Sequence, residues 1–166
     1  RDSFIITNVV FRLSKNPVVN TKYGQIQEIL DEAGIKEPSI RDVSNAIIQI
    51  RRAKLPDPEI TGNAGSFFKN PLVNEDIFSR LQADYPSIPS FPQDDQKVNI
   101  PAAWLIDQCQ LKGFRFGGAS VHQKQPLVLI NQLNATGNEI LKLSQLVQEK
   151  VLQKFNISLE PEVRII

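Results

Sequence analysis

Apolar residues along this chain fall into patches of two different periods, and the alternation of those periods outlines the elements. Ile5-Ile6-Thr7-Asn8-Val9-Val10-Phe11 is dense in β-branched and aromatic types, which pack well on a pleated surface. Residues 4–13 are therefore predicted to form a strand, stopped by Asn16-Pro17. Thr21-Lys22-Tyr23-Gly24 reads as a turn, and a short apolar-periodic stretch follows it to Leu30. Val43, Ala46, Ile47 and Ile50 recur at helical spacing behind Ser39-Ile40-Arg41-Asp42, a capping-box pattern with Asp in the acidic place. A helix over 40–53 follows from that pattern. Its basic end, Arg51-Arg52, suits the negative pole of the helix.

Lys54-Leu55-Pro56-Asp57-Pro58 ends the helix, because two prolines in three residues remove donors and clash with the preceding turn. A domain boundary is placed there. Further on, Asn74 caps a predicted helix to about Asp84 with Ile77, Phe78 and Leu81 inward. Residues 85–97, with Pro86, Pro89 and Pro92, read as an irregular connection. Pro101 suits the first turn of a helix carrying Ala102, Leu105, Ile106 and Cys109. Phe114–Phe116 and Leu127–Ile130 are short strands on either side of Gly117-Gly118 and a polar turn. Thr136-Gly137-Asn138-Glu139 is a second capping box. It opens a helix with Ile140, Leu143, Val147 and Val151 on one face, ending near Asn156. Glu162–Ile166 is the last predicted strand. Strands and helices mixed without a regular βαβ rhythm give the fold class α+β.

Charge narrows the choice of partner. Nineteen basic residues stand against eighteen acidic ones, and no basic stripe of the kind that binds nucleic acid or a membrane surface is visible. The single Cys109 excludes an internal disulfide and suits a reducing cytoplasm. Cys109 and His122 together cannot complete a Cys/His zinc site. No apolar run approaches the ~20 residues of a membrane span. A soluble, cytoplasmic, monomeric protein is the expectation. The chain has no methionine, runs from Arg1-Asp2-Ser3-Phe4 straight into a strand, and stops at Arg164-Ile165-Ile166. Those ends read as a C-terminal fragment.

The densest candidate chemistry lies in Gly62-Asn63-Ala64-Gly65-Ser66-Phe67-Phe68-Lys69-Asn70-Pro71. Glycines let a backbone take positive φ and approach a ligand closely, which would present Ser66 Oγ to an anion or a reacting carbon. On its own the run reads more readily as a hydrophilic turn ahead of a Phe-Phe core anchor. Three further segments accompany it: Arg51-Arg52-Ala53-Lys54-Leu55-Pro56-Asp57-Pro58, then Ala103-Trp104-Leu105-Ile106-Asp107-Gln108-Cys109-Gln110-Leu111-Lys112-Gly113, and Leu159-Glu160-Pro161-Glu162-Val163-Arg164. In this order the four segments resemble the UDP-N-acetylenolpyruvoylglucosamine reductase family, and the resemblance covers essentially the whole chain.

The resemblance implies the C-terminal, substrate-binding portion of a bacterial flavoenzyme of peptidoglycan synthesis. Residues 1–53 would be the end of its FAD-binding domain, 54–157 the substrate-binding domain, and 158–166 a return strand carrying a catalytic glutamate. The implied reaction reduces UDP-N-acetylglucosamine-enolpyruvate to UDP-N-acetylmuramate. NADPH reduces FAD, and the flavin passes hydride to C3 of the enolpyruvyl group. Ser66 matches the family's proton donor to C2, and Glu162 the carboxyl beside the substrate carboxylate. Tyr23, Lys54 and Asn70 match positions that hold the diphosphate, and Lys112 and Gln125 positions that reach the nucleotide. FAD and NADPH would belong to the full-length enzyme, with neither expected on this chain. The missing N-terminal FAD-binding half would be its partner and would carry the catalytic arginine. Arg1 is not carried over, since Arg1-Asp2-Ser3 lacks the preceding tyrosine of the family's segment.

Each residue also has a plainer reading. Glu162 would be a surface carboxylate on an edge strand, Lys54 a solvated residue near a helix end, and Tyr23 a turn aromatic. Trp104 and Cys109 read as core, and His122 as a solvent-facing loop residue. Two other functions compete: a standalone UDP-sugar binding module without redox activity, and an α+β interaction domain in which the serine run is only a turn.

Overall fold

The computed structural model describes residues 5–22, 24–93 and 96–165. Expectations that fall on Arg1-Asp2-Ser3, Phe4, Tyr23 and Ile166 lie outside these residues. The chain divides into two compact units, Arg1–Ala53 and Lys54–Ile166.

In the first unit, α1 (Ile26–Glu32) and α2 (Ile40–Lys54) bury Ile26, Leu30 and Ala46 against one another, with Ile29, Ile35, Val43 and Ile50 packed around them. Ile26 and Leu30 are four residues apart and so share a face of α1. The capping box is formed. Asp42 Oδ2 accepts from the Ser39 N–H at 2.8 Å and from Ser39 Oγ at 2.6 Å, and the Asp42 N–H donates to Ser39 Oγ at 3.3 Å. These bonds hold the Asp42 carboxyl below its ordinary range. Ile47, expected inward, is 40% exposed. The strand predicted over 4–13 is not formed among its described residues, where Ile5 and Val10 are almost fully exposed. β-propensity is a fit to a pleated surface between neighbours, and among the described residues no strand pairs with this run.

The second unit holds two antiparallel sheets. In chain order its elements are β1 (Gly62–Ser66), β2 (Leu72–Asn74), α3 (Glu75–Asp84), β3 (Phe91–Pro92), β4 (Lys97–Asn99), α4 (Ala102–Gln108), β5 (Arg115–Phe116), β6 (Ala119–Val121), β7 (Val128–Asn131) and α5 (Gly137–Phe155). The larger sheet has the order β1-β7-β6-β5 and the smaller β2-β4-β3. Segregated helices over antiparallel sheets make the fold α+β.

α5 lays Leu143, Val147, Val151 and Phe155 onto Ala119, Val121 and Leu129 of the larger sheet and onto Ala102, Leu105 and Ile106 of α4. Its capping box is complete, with Glu139 N–H to Thr136 Oγ1 at 3.3 Å and Thr136 N–H to Glu139 Oε2 at 2.7 Å. Trp104 and Cys109 pack against this core, half-buried. Trp104 meets the Tyr85 ring edge-on at 5.4 Å.

Several local expectations change. The glycine-rich run is a strand, because β7 supplies a partner for it. The 85–97 connection contains β3 and the start of β4, two very short strands whose prolines lie at or beyond their ends. β6 is Ala-Ser-Val, too short and mixed to register as a pattern. Asn74 stands at the N-cap of α3 without a side-chain bond, and Ile77 is 37% exposed. Pro101 is the N-cap of α4. The final strand predicted from Glu162 is not formed through residue 165; a single bridge pairs Phe68 with Pro161 instead. Proline at the pairing position removes one ladder donor.

Candidate active site

Ser66 closes β1 at a break in register. Gly62 and Asn63 pair with Asn131 and Ile130, and Ser66 pairs with Val128. Between them Gly65 takes φ +73°, where glycine has no steric penalty. Asn63 pins the distortion: its Oδ1 accepts from the Gly65 N–H at 3.0 Å and its Nδ2 donates to Thr61 O at 2.9 Å. Ser66 emerges exposed. Phe67 and Phe68 follow it into the core at 4% and 1% exposure, their rings 5.1 Å apart. The bulge orients the serine and the aromatic pair holds the backbone beneath it.

A second segment is clipped to this run. The Glu162 N–H donates to Phe67 O at 2.8 Å and the Lys69 N–H to Glu160 O at 2.9 Å. Lys69 Nζ also pairs with the Glu160 carboxylate, and Gln148 of α5 donates to Leu159 O at 2.8 Å. This register puts exposed Glu162 opposite the residue that follows Ser66. The two candidate catalytic residues, far apart in sequence, thus sit on neighbouring backbones. Asn70 continues the same run, its Oδ1 accepting from the Ala102 N–H at 2.9 Å.

The remaining candidates are elsewhere. Lys54 is exposed as the last residue of α2. Lys112 is paired with Asp107 at 2.6 Å, which gives it a structural role beside any ligand contact. Gln125 is half-buried in the β6–β7 turn, where its N–H donates to His122 Nδ1 at 3.1 Å. His122 is therefore not the solvent-facing residue expected. It is half-buried, and burial, with Lys124 nearby, lowers its pKa from the ordinary value. Burial raises that of Cys109, against smaller opposing effects of Lys154 and Lys150. A cleft of about 490 Å³ opens beside Gly113, His122, Arg115, Thr61 and Asn131. Neither Lys112 nor Gln125 lines it, though their chain neighbours Gly113 and Gln123 do, and Ser66 stands at the opposite end of β1 from Thr61. Sequence reasoning passed over Asn63, Lys69, Glu160 and Gln148 as positioning groups. Only Asn63 had a local signal, an Asn two residues before a Gly.

Among the described residues no cluster of His, Cys, Asp and Glu could hold a metal ion, and no helix is long and apolar enough to cross a membrane. The family model described as UDP-N-acetylenolpyruvoylglucosamine reductase, C-terminal domain, matches residues 57–166. The chain belongs to this reductase family. It is 47% identical over its whole length to UDP-N-acetylenolpyruvoylglucosamine reductase of Flavobacterium johnsoniae, covering 50% of that protein. It is 48% identical to that of Chromobacterium violaceum and 46% to that of Escherichia coli K12, covering 48% and 47% of them. The chain thus spans about half the length of the curated reductases it matches. Those relatives are bacterial enzymes named for a reduction of a UDP-sugar.

A flavin, which the family resemblance implies, would need a cradle for its phosphates. The one glycine pair of the chain, Gly117-Gly118, does not fit that need. A Cβ on Gly118 would lie 2.6 Å from Leu133 O, and the Glu139 carboxylate covers Gly117. Both glycines are occupied by the protein's own contacts.

Proposed function

We propose that this chain is the substrate-binding half of a cytoplasmic, NADPH-dependent flavoenzyme that reduces UDP-N-acetylglucosamine-enolpyruvate to UDP-N-acetylmuramate. The observation that carries the reading is the clip between the two motif segments: Glu162 is bonded to the backbone of Phe67, directly after an exposed Ser66. Reduction of an enolpyruvyl double bond needs hydride at C3, a proton at C2, and stabilisation of the charge that builds on the carboxylate. Hydride would come from a reduced flavin held outside this chain. A serine hydroxyl is a weak acid, so it serves as donor only when held close to a strongly basic, carbanion-like centre. The Asn63-pinned bulge and the buried Phe67-Phe68 pair supply that fixed position. Glu162 would donate a hydrogen bond to the developing enolate. Lys54, Asn70 and Tyr23 would hold the diphosphate, with Lys112 and Gln125 toward the nucleotide and residues 1–53 completing the flavin domain.

The test uses the full-length protein with Ser66→Ala. Reduction of the flavin by NADPH should keep its rate, while reoxidation by the enolpyruvyl substrate should collapse, because the serine acts only after hydride leaves the flavin. Stopped-flow absorbance separates the two halves. Equal slowing of both would remove Ser66 from the proton-donor role.

A further inference from the structure

The face of the larger sheet turned away from α5 carries a cleft that the proposed reaction does not use. Ala119, Val121 and Leu129 pack in the core with α5, and side chains alternate across a strand. Ser120 and Ile130 therefore lie on the other face. They are register partners, and Arg115 pairs with Ser120 on the next strand. One cross-strand row thus lays a guanidinium, a hydroxyl and an aliphatic side chain next to one another. The cleft of about 490 Å³ opens between this row and the Pro56–Thr61 loop, with His122 at its side.

The lining selects a sign of charge. Arg115 is exposed, and among the described residues no carboxylate pairs with it. None of the residues lining the cleft is acidic; Asp57, in the same loop, turns its carboxylate to the Glu59 N–H at 3.0 Å. His122 Nδ1 accepts from the Gln125 N–H at 3.1 Å. Burial, and then Lys124, holds the ring below its ordinary pKa, so at pH 7 it is neutral with its one proton on Nε2. Among the described residues no acceptor takes that proton. The Thr61 hydroxyl adds a donor on the loop side. Arginine holds oxyanions through two parallel N–H groups, and the apolar walls of Pro56, Ile60 and Ile130 leave room for more than the anion itself.

We infer that this cleft is a second ligand site, which takes a small organic anion by a phosphate or carboxylate group. Arg115 is its charge partner, and His122 and Thr61 are its neutral donors. The site lies at the Thr61 end of β1, away from Ser66, and uses none of the residues assigned to the diphosphate.

The experiment follows the His122 imidazole by NMR in the full-length protein, its signal being the one lost in His122→Gln. Inorganic phosphate and acetate are titrated separately at constant ionic strength, so that screening does not change. At least one should move the signal saturably, phosphate alone for a phosphate ester and acetate alone for a carboxylate. Arg115→Gln should weaken that binding about tenfold, and Thr61→Val by a smaller factor. Lys54→Ala should leave it unchanged. No saturable movement with either anion, or movement that Arg115→Gln leaves intact, overturns the site. A response abolished by Lys54→Ala also overturns it, since the anion then sits at the diphosphate position. Should Arg115→Gln not fold, Arg115→Lys keeps the charge but loses the fork; its affinity should fall several-fold, and an unchanged affinity overturns the assignment.

Discussion

Gly65→Ala tests whether the bulge that presents Ser66 depends on backbone conformation alone. Gly65 sits at φ +73°, and a Cβ added there would meet nothing within 4 Å. Steric clash with neighbours is thus removed from the account, leaving the intrinsic cost of an L-residue in the left-handed region, about 1–2 kcal/mol. Alanine also stiffens the unfolded chain, an opposing gain of about 0.4–1 kcal/mol. The net loss should be about 1 kcal/mol, or roughly 4 °C in melting temperature for a cooperative unit of about a hundred residues. Gly62→Ala is the control on the same strand. Its φ is outside the left-handed region and its Cβ would rest 3.5 Å from Asn131 Cβ, an ordinary contact. That variant should be neutral or slightly stabilised. Gly65→Asn should lie between them, since asparagine tolerates left-handed geometry better than alanine. Thermal denaturation of all three gives the stability series, and flavin reoxidation gives the rate. If the alanine relaxes by turning the peptide, Ser66 moves, and a shift near 1 Å can cost about 10²-fold in rate. Equal melting of the two alanine variants would refute the conformational reasoning. A loss above about 3 kcal/mol would refute the claim of open space.

Lys54→Ala should raise KM for the UDP-sugar on the order of ten- to a hundred-fold with little change in kcat, as expected for a phosphate contact away from the reacting carbon; a fall in kcat at constant KM would place it at the reaction centre. Glu162→Gln should retain far more turnover than Glu162→Ala, which should lose about 10²–10³ in kcat. Steady-state rates showing glutamine as poor as alanine, with the fold intact, would exclude simple hydrogen-bond donation. The Glu139 carboxyl is held below its ordinary value chiefly by the Thr136 N–H, then by the Gly118 N–H and the Thr136 hydroxyl. Its stabilising contribution is therefore complete above the unfolded value, near 4.5, and disappears as pH falls through the lower folded value. Urea midpoints of wild type and Glu139→Gln should differ at neutral pH and converge in acid; a gap that persists at the acid end would contradict this assignment.

Helices were legible in the sequence because their signals are local. Ser39 with Asp42 and Thr136 with Glu139 mark their own starts, and Leu143, Val147 and Val151 mark the buried face of α5. Strand pairing was not legible, because a strand is defined by its neighbour. Residues 5–13 have the right composition and no partner strand among the described residues, whereas Gly62–Ser66 has poor composition and a partner in β7. The candidate site divides in the same way. Ser66 and Glu162 came from motif resemblance, but the clip that joins them depends on a register between distant segments. Asn70 was visible as a ligand residue and invisible as the cap of α4, since nothing near Pro101 shows that its helix borrows an acceptor.

The bond from Glu162 to Phe67 and the pair between Lys69 and Glu160, ninety-one positions apart, bear on when the protein becomes competent. Synthesis proceeds from the N-terminus, so β1 leaves the ribosome long before its partner segment exists. Closing so long a loop has an entropic cost that only the surrounding core can offset, which makes the contact a late step in folding. A chain cut after α5 keeps Phe155 but has no residue 160–162 to bring beside Ser66. Such a chain also lacks the buried Ile157 and Leu159, so the segment that completes the pair also completes the core.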